Sequence, residues 1–408
     1  MKHSPHLMAG ILSVIILLAA LIGFNSYAQL LEKRYVNALA PLGLPESRNG
    51  IALQDAALQQ PDLLPLYGSS ELTLLRTSFE ANNFYAGYPT GFTVFEVANL
   101  GASSITMAQS LAMLAPDLRG KKVVISLSPA NFALNMSPAP FYKGNYSRLH
   151  AYGMIFSPYL SMRVKKAAAH SMLLHPETLQ DDPFLRFTLR QMASSRLGRL
   201  LYYLLWPLGE FQTGIMRLQD HAAVISFILT HHIDPHVFKS HRPMDWAAIQ
   251  DRALAEQKQH SFNNPYGIED SKWWIYSHVI KDPVHPGSRD KKFVWRVCNH
   301  PEWADFKILL EVLQESGAKP LVLSRPMNVR LWEALGVSEQ AQNTYYSKLQ
   351  EAVAPFHVQA VDFRGYGTNI YFSIDQGSHT SRAGWVYIDQ VLNDFYHGQL
   401  RPVPLTGP

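Results

Sequence analysis

A serine in a tight turn and a histidine preceded by an aspartate are the residues of this chain best suited to covalent chemistry. Ser70 lies in Gly68-Ser69-Ser70-Glu71, directly after the apolar run Leu63 to Tyr67. A serine where a parallel strand ends and a helix begins stands at the ligand-binding edge of a sheet, and backbone N–H groups there can stabilise an oxyanion. The same four residues also suit a plain helix start, with a serine N-cap and Glu71 in the first turn. Near the other end, Asp375-Gln376-Gly377-Ser378-His379 sets a carboxylate and an imidazole four residues apart, close enough to meet across one turn. A hydroxyl nucleophile needs a base, and the base needs a group that holds its tautomer. Ser70, His379 and Asp375 could form such a set, although an Asp/His pair in a polar segment is also what a solvated loop looks like.

The elements that must position these residues can be read from the apolar pattern. Strands are expected over 63–67, 92–98, 122–127, 320–324 and 358–362, and helices over about 103–115, 302–316, 338–353 and 383–396. Short apolar strands alternating with amphipathic helices predict an α/β fold with a parallel sheet covered on both faces. Residues 136–300 carry a helical pattern rich in Tyr, Trp and His without strand alternation, and read as a long, largely helical insertion on the same domain. No period of 20–50 residues repeats, which argues against solenoids and propellers.

A serine after the first strand and an Asp/His pair before the last helix is the chain order of the GDSL-type (SGNH) hydrolases. Ser70 takes the place of the serine of that motif, with Ser69 where the aspartate stands, and Gly101 follows the second strand where that group has an oxyanion-hole glycine. The chain further resembles the DltD family, the membrane-anchored, SGNH-like component of lipoteichoic acid D-alanylation. The matching segments are Tyr67-Gly68-Ser69-Ser70-Glu71-Leu72, Ser128-Pro129, Asn263-Asn264-Pro265-Tyr266-Gly267-Ile268 and Pro301-Glu302-Trp303-Ala304-Asp305-Phe306. They continue with Pro326-Met327-Asn328, Tyr345-Tyr346, and His379 with Gly384-Trp385-Val386. They fall in order over about 66–390, and the Asn-Asn-Pro-Tyr-Gly-Ile segment is the most specific, since a general SGNH hydrolase has no need of it. Two departures stand out. The family usually has Asp-x-x-His, whereas here Asp375 is four before His379 and Gln376 is three before it, which leaves the orienting group open. After Ser128-Pro129 the family usually continues Gln-Trp-Phe, where this chain has Ala130-Asn131-Phe132; Asn131 is either an oxyanion donor or a structural amide.

The resemblance implies a serine acyltransferase that acts on the outer side of the membrane, at or near the final transfer of D-alanine to a surface polymer. Ser70 would be acylated with His379 as base, and a polymer hydroxyl would resolve the acyl-enzyme. Implied partners are a membrane-bound O-acyltransferase of the DltB type, a D-alanyl carrier protein or a D-alanyl-bearing membrane peptide, and a lipid-linked polymer, either lipoteichoic acid or an analogous glycan. No cofactor is implied. Two other readings remain: an O-acetyltransferase or esterase for an exopolysaccharide, and a carrier-binding scaffold whose serine site is vestigial.

Composition bounds these readings. The chain has 408 residues, 47% of them hydrophobic and 17% charged, enough for a sizeable core and incompatible with wholesale disorder. A net charge of +4 does not argue for nucleic acid, and the single cysteine, Cys298, excludes an intramolecular disulfide and a Cys-ligated structural zinc. Leu7 to Phe24 is uncharged and proline-free; as a helix it spans roughly 27 Å, near the hydrocarbon thickness of a bilayer. Ser26-Tyr27-Ala28 resembles a signal-peptidase site, but the apolar run exceeds the usual length of about 7–15 residues for a signal core. Residues 1–30 therefore read as an uncleaved single-span anchor, 31–65 as a linker and lead-in, and 66–400 as the SGNH-like domain on the extracytoplasmic side. His231, His232, His236 and His241 have poor metal-ligand spacing, with Pro235 interrupting them. Leu200 to Trp206 reads either as a core helix or as a membrane- or partner-binding patch.

Overall fold

The computed structural model describes residues 5–72, 77–134, 138–194, 196–235, 237, 240–260, 263–278, 280 and 284–400. Five short strands pair in parallel: β1 (Leu63–Gly68), β2 (Thr93–Ala98), β3 (Lys122–Leu127), β4 (Lys319–Ser324) and β5 (Gln359–Asp362). Their spatial order is β2-β1-β3-β4-β5. Side chains alternate between two apolar cores. Tyr67, Phe95, Val97, Val123, Ile125 and Val322 face one, while Leu64, Leu66, Val94, Val124, Leu321 and Leu323 face the other. Burial on both faces explains why these strands read as continuous apolar runs. β1 lies between β2 and β3, so the chain leaves it toward one side of the sheet and returns on the other. The resulting crevice at the carboxyl end of β1 is where such sheets bind ligands, and Ser70 follows β1 there.

The helices used below are, in chain order, α1 (Pro5–Leu39), α2 (Ala52–Gln59), α3 (Ser104–Met113), α4 (Arg196–His231), α5 (Asp270–Ser277), α6 (Glu302–Ser316), α7 (Glu339–Val353) and α8 (Arg382–His397). α3, α6 and α7 cover one face of the sheet, and α8 with the Ala81–Gly87 helix covers the other. Between β3 and β4 the described residues are mainly helical, as the sequence pattern predicts.

α1 has two parts. From Leu7 to Ile22 its large apolar side chains are exposed, and this helix is long and apolar enough to cross a membrane. Beyond that, Ala28, Leu31 and Val36 are buried, with Ala28 and Leu31 packed on Ile225 of α4. The stretch 31–65 is thus folded into the body, not loosely connecting to it. Asp220 of α4 accepts from the N–H groups of Ile51 and Ala52 at 2.6 and 2.8 Å, satisfying orphan donors at the start of α2. Leu200 to Trp206 is buried on one side and exposed on the other. Tyr202 is buried and donates to the Ile155 carbonyl, and Trp206 Nε1 donates to that of Phe156, while Leu200, Tyr203 and Leu204 point to solvent.

The join between α1 and α4 includes a buried ion pair, His221 Nδ1 to Glu32 Oε1 at 2.7 Å. Burial alone pulls the imidazole pKa down, but the Glu32 hydrogen bond and charge, with Asp220 and Asp55, outweigh it and hold His221 above its ordinary value. A raised histidine pKa contributes stability that is fully present below about pH 6.5 and fades as pH rises through the higher folded-state value. His221→Ala should therefore cost about 3 kcal/mol near pH 6, and less near pH 9, because it strands a buried carboxylate. Thermal unfolding of the detergent-solubilised protein at the two pH values measures the difference.

Candidate active site

β1 is buried along its length and ends at Gly68. The chain then turns tightly through a single 3-10 turn, Ser70–Leu72, where the sequence suggests the start of a helix; residues 73–76 are outside the described set. Gly68 is required by close approach, since a Cβ there would lie 2.7 Å from both Glu71 Oε1 and Leu72 Cδ1. Glu71 folds back beneath the turn. Its Oε1 accepts from the Ser69 N–H and from the Ser126 hydroxyl of β3, both at 2.9 Å. An acid that sequence alone places in a helix's first turn instead pins the serine turn to the neighbouring strand.

The second half of the site is a loop that closes on itself. Ser373 and Thr380 form an antiparallel bridge, and the Ile374 N–H donates to the His379 carbonyl at 3.0 Å. Asp375 is only 3% exposed. Its Oδ1 accepts from the N–H groups of Gly377, Ser378 and His379 at 3.1, 2.9 and 3.0 Å, and its Oδ2 pairs with His379 Nδ1. On the far side of the ring, His379 Nε2 lies 3.1 Å from Ser70 Oγ. Because Nδ1 carries the proton shared with the carboxylate, Nε2 of the neutral ring is an acceptor and the Ser70 hydroxyl donates to it. Ser70 is half-buried, not sealed in.

Gln376, at the position the resemblance assigns to aspartate, plays a different part. Its side-chain amide donates to Ser378 Oγ at 2.9 Å and its backbone carbonyl accepts from Trp332 Nε1 at 3.0 Å. The carboxylate in contact with the imidazole is that of Asp375. The loop is braced from several sides. The Ser128 hydroxyl donates to Ser378 Oγ at 3.2 Å, and Arg325 Nε to Thr380 Oγ1 at 2.9 Å. Asn328 Nδ2 donates to the carbonyls of Tyr266 and Asp375 at 2.9 and 3.1 Å. This last contact gives the Asn-Asn-Pro-Tyr-Gly-Ile segment a physical role: Asn264 Oδ1 accepts from the N–H groups of Tyr266 and Ile268, shaping a turn that leans on the Asp375 loop.

Beneath the serine turn and the loop lies buried charge. Burial pushes Arg325 down to about 10, against the pull of Glu71, Glu96 and Asp389. Burial raises Glu96 and Asp389 well above the usual carboxylate range; repulsion from Glu80 adds to Glu96, and repulsion from Glu96 adds to Asp389. For His379, burial lowers the pKa, but the Asp375 hydrogen bond and charge, with Glu71, overcome it and leave the imidazole above its ordinary value; Lys272 works in the opposite direction. Glu71, Arg325 and Lys272 are missed by reading motifs. Arg325 did carry one signal, a charge directly after an apolar strand.

Gly101 and Asn131 are brought together, but with each other. Both line a pocket of about 50 Å³ with Phe141, His300 and Glu302; Ser70 and His379 are not among its lining residues. Gly101 adopts φ +71°, and a Cβ there would fall 2.0 Å from the Phe141 ring, so backbone and packing both demand glycine. Of the histidines with possible metal spacing, His231 ends α4, His241 packs edge-on against His397, and His236 is outside the described residues. Among the described residues no three His, Cys, Asp or Glu side chains converge in a metal-binding group.

Comparison with known proteins gives a consistent result. A family model described as DltD protein matches residues 45–397. Protein DltD of Bacillus subtilis (strain 168) is 26% identical over 367 residues, covering 90% of each chain. Protein DltD of Staphylococcus aureus (strain NCTC 8325 / PS 47) is 20% identical over 406 residues, covering 98% of each.

The balance at His379 is open to direct measurement. In an NMR titration of the wild type, the imidazole should titrate above the ordinary histidine value of about 6.5. In Asp375→Asn it should titrate below that of the wild type, because burial persists while the compensating charge is gone. An unchanged midpoint would show that Asp375 does not govern the ring.

Proposed function

The chain belongs to the DltD family, which serves the D-alanylation of teichoic acid, and on that premise we propose that it is a membrane-anchored serine acyltransferase that passes D-alanine through Ser70 to a cell-surface polymer. The observation that carries the reading is the continuous line from Ser70 Oγ to His379 Nε2 at 3.1 Å, and from His379 Nδ1 to the buried Asp375.

In the first half-reaction Ser70 Oγ attacks the carbonyl carbon of an activated D-alanyl group, and its proton passes to His379 Nε2. The carbonyl carbon's bond to the donor's heteroatom breaks, and the imidazolium returns that proton to the leaving group. In the second, an acceptor hydroxyl attacks the alanyl ester, giving its proton to Nε2. The Ser70 Oγ–carbon bond then breaks and Oγ recovers the proton. Asp375 holds the tautomer and stabilises each imidazolium. Gly101 and Asn131, which follow β2 and β3 at the carboxyl edge of the sheet, are assigned to the substrate-binding side, in a pocket that Ser70 and His379 do not line.

Residues 7–24 act as a single span, with the folded body on the extracytoplasmic side. There it takes D-alanine from a carrier protein or a D-alanyl-bearing membrane peptide, in concert with a membrane-bound O-acyltransferase of the DltB type. Tethering keeps site, donor and lipid-linked acceptor in one layer, which raises their effective concentration. The part of α1 packed against α4 makes that tether stiff.

Replacement of the endogenous gene by one encoding Ser70→Ala tests the reading. Ester-linked alanine on the surface polymer, released by mild base and quantified by mass spectrometry, should fall at least about 100-fold if the hydroxyl is the nucleophile. Unchanged alanine with normal protein abundance would leave a scaffold as the reading. Acetate in place of alanine on the wild-type polymer would point to O-acetylation.

A further inference from the structure

Glu302 belongs to one of the segments that carry the family resemblance, yet the serine chemistry does not use it. It starts α6 and is 8% exposed. Its Oε1 accepts from the N–H of Ser104, the first residue of α3, at 2.6 Å. The same side chain lines the pocket of about 50 Å³ that Gly101 and Asn131 share.

That pocket bridges the end of the strand that carries the serine turn. β1 lies between β2 and β3, about 4.8 Å from each. Gly101 follows β2 and Asn131 follows β3, so a pocket lined by both spans the end of β1, where Ser70 stands. Ala102 is shared with an adjoining pocket that reaches Gly68. On its other side Ser70 meets His379, whose loop is backed by α5: the Glu269 N–H, just before that helix, donates to the Ile374 carbonyl at 3.2 Å. An acyl group on Ser70 thus has its room on the side of Gly101 and Asn131.

Size and charge narrow what the pocket takes. Ala102, Leu134 and Phe141 give it an apolar wall. About 50 Å³ holds roughly three to five groups of water size. Beyond its carbonyl an alanyl group has three such groups, the α-carbon, the methyl and the ammonium. Among the described lining residues Glu302 alone can carry negative charge, and none is a lysine or an arginine. His300 is neutral at pH 7, since burial lowers its pKa and its Nδ1 accepts from the Glu302 N–H at 3.3 Å. Burial, with repulsion from Asp305, holds Glu302 above the usual carboxylate range, so the pocket lacks the cation that would let this acid ionise freely.

We propose that Glu302 is a specificity residue for the acyl donor, which binds the α-ammonium of the aminoacyl group while Gly101, Asn131 and Phe141 enclose its α-carbon and methyl. The proposal rests on the acyl-enzyme reading above and names what selects the group that Ser70 takes up. A charge-assisted hydrogen bond from ammonium to carboxylate is among the stronger polar contacts, and more so out of water. An acetyl group would leave Glu302 buried without a counter-charge, and a longer side chain would exceed the space.

Ligand-observed NMR titration of the full-length protein in maltoside micelles tests the contact without turnover. The probe is D-alaninamide near pH 7, where its amine is mostly protonated. (R)-Lactamide, with a hydroxyl in place of the ammonium, should bind the wild type at least about tenfold more weakly. Glu302→Gln keeps an acceptor for the Ser104 N–H. It should lose the preference for D-alaninamide while its (R)-lactamide affinity and melting temperature stay near those of the wild type. Equal affinities of the two amides for the wild type overturn the proposal, and this comparison decides even where Glu302→Gln is unstable. So does a preference that survives Glu302→Gln, or an equal loss of both amides in that variant, which is what a merely structural Glu302 would give. Because neither amide acylates Ser70, absence of an acyl-enzyme would count against the Ser70 reading alone.

Discussion

A carboxylate almost wholly removed from water must have its lone pairs filled, and in this protein the way Asp375 meets that demand organises everything around it. Three backbone N–H groups from its own loop occupy one oxygen and an imidazole occupies the other. Unpaired, such a group would cost several kcal/mol or lose its charge. Paired, it forces the loop into a closed shape with His379 at a fixed angle. The ring can then face only one way, toward the turn that follows β1, where Ser70 stands. The bracing contacts come from two distant parts of the chain, Ser128 after β3 and Arg325 with Asn328 after β4, so the geometry depends on the sheet being assembled.

The floor of the site is costly by comparison. Among the described residues Arg325 makes one side-chain hydrogen bond and lies 5.2 Å above the Trp385 ring, yet both terminal guanidinium nitrogens are buried without a partner there. Both oxygens of Asp389 and one each of Glu71 and Glu96 are likewise unpartnered. An apolar interior of the same volume would be the more stable choice. Departures from local consistency of this kind gather at functional sites. Here the departure sits under the turn and the loop that hold Ser70 and His379, and Glu71 links it to both.

How much of this was legible beforehand depended on whether the cause was local. The strands announced themselves because burial on both faces makes a continuous apolar run, and β3 occupies the very residues expected of it, Lys122 to Leu127. Ser70, His379 and Asp375 were visible because chain order alone brings them to one sheet edge. The choice between Asp375 and Gln376 was not visible: it depends on how a five-residue loop closes, which spacing counts cannot tell. Glu71, Arg325 and Lys272 were hidden because each acts on a residue distant in sequence or through a neighbour's backbone. The segment 31–65 looked like a lead-in because its apolar residues are interspersed with polar ones. Its helices find many of their partners far along the chain, among them Ser110 of α3 and Asp220 and Ile225 of α4.

The N-terminal helix packs on the insertion, and the sheet with its loops sets Ser70 against His379. The most direct measurement is intact-protein mass spectrometry of the full-length protein after exposure to an activated D-alanyl thioester, with peptide mapping of any adduct. One alanyl group is expected, on the peptide that contains Ser70, labile to hydroxylamine and absent in Ser70→Ala. An adduct on another residue, or the same adduct in the Ser70→Ala protein, would contradict it.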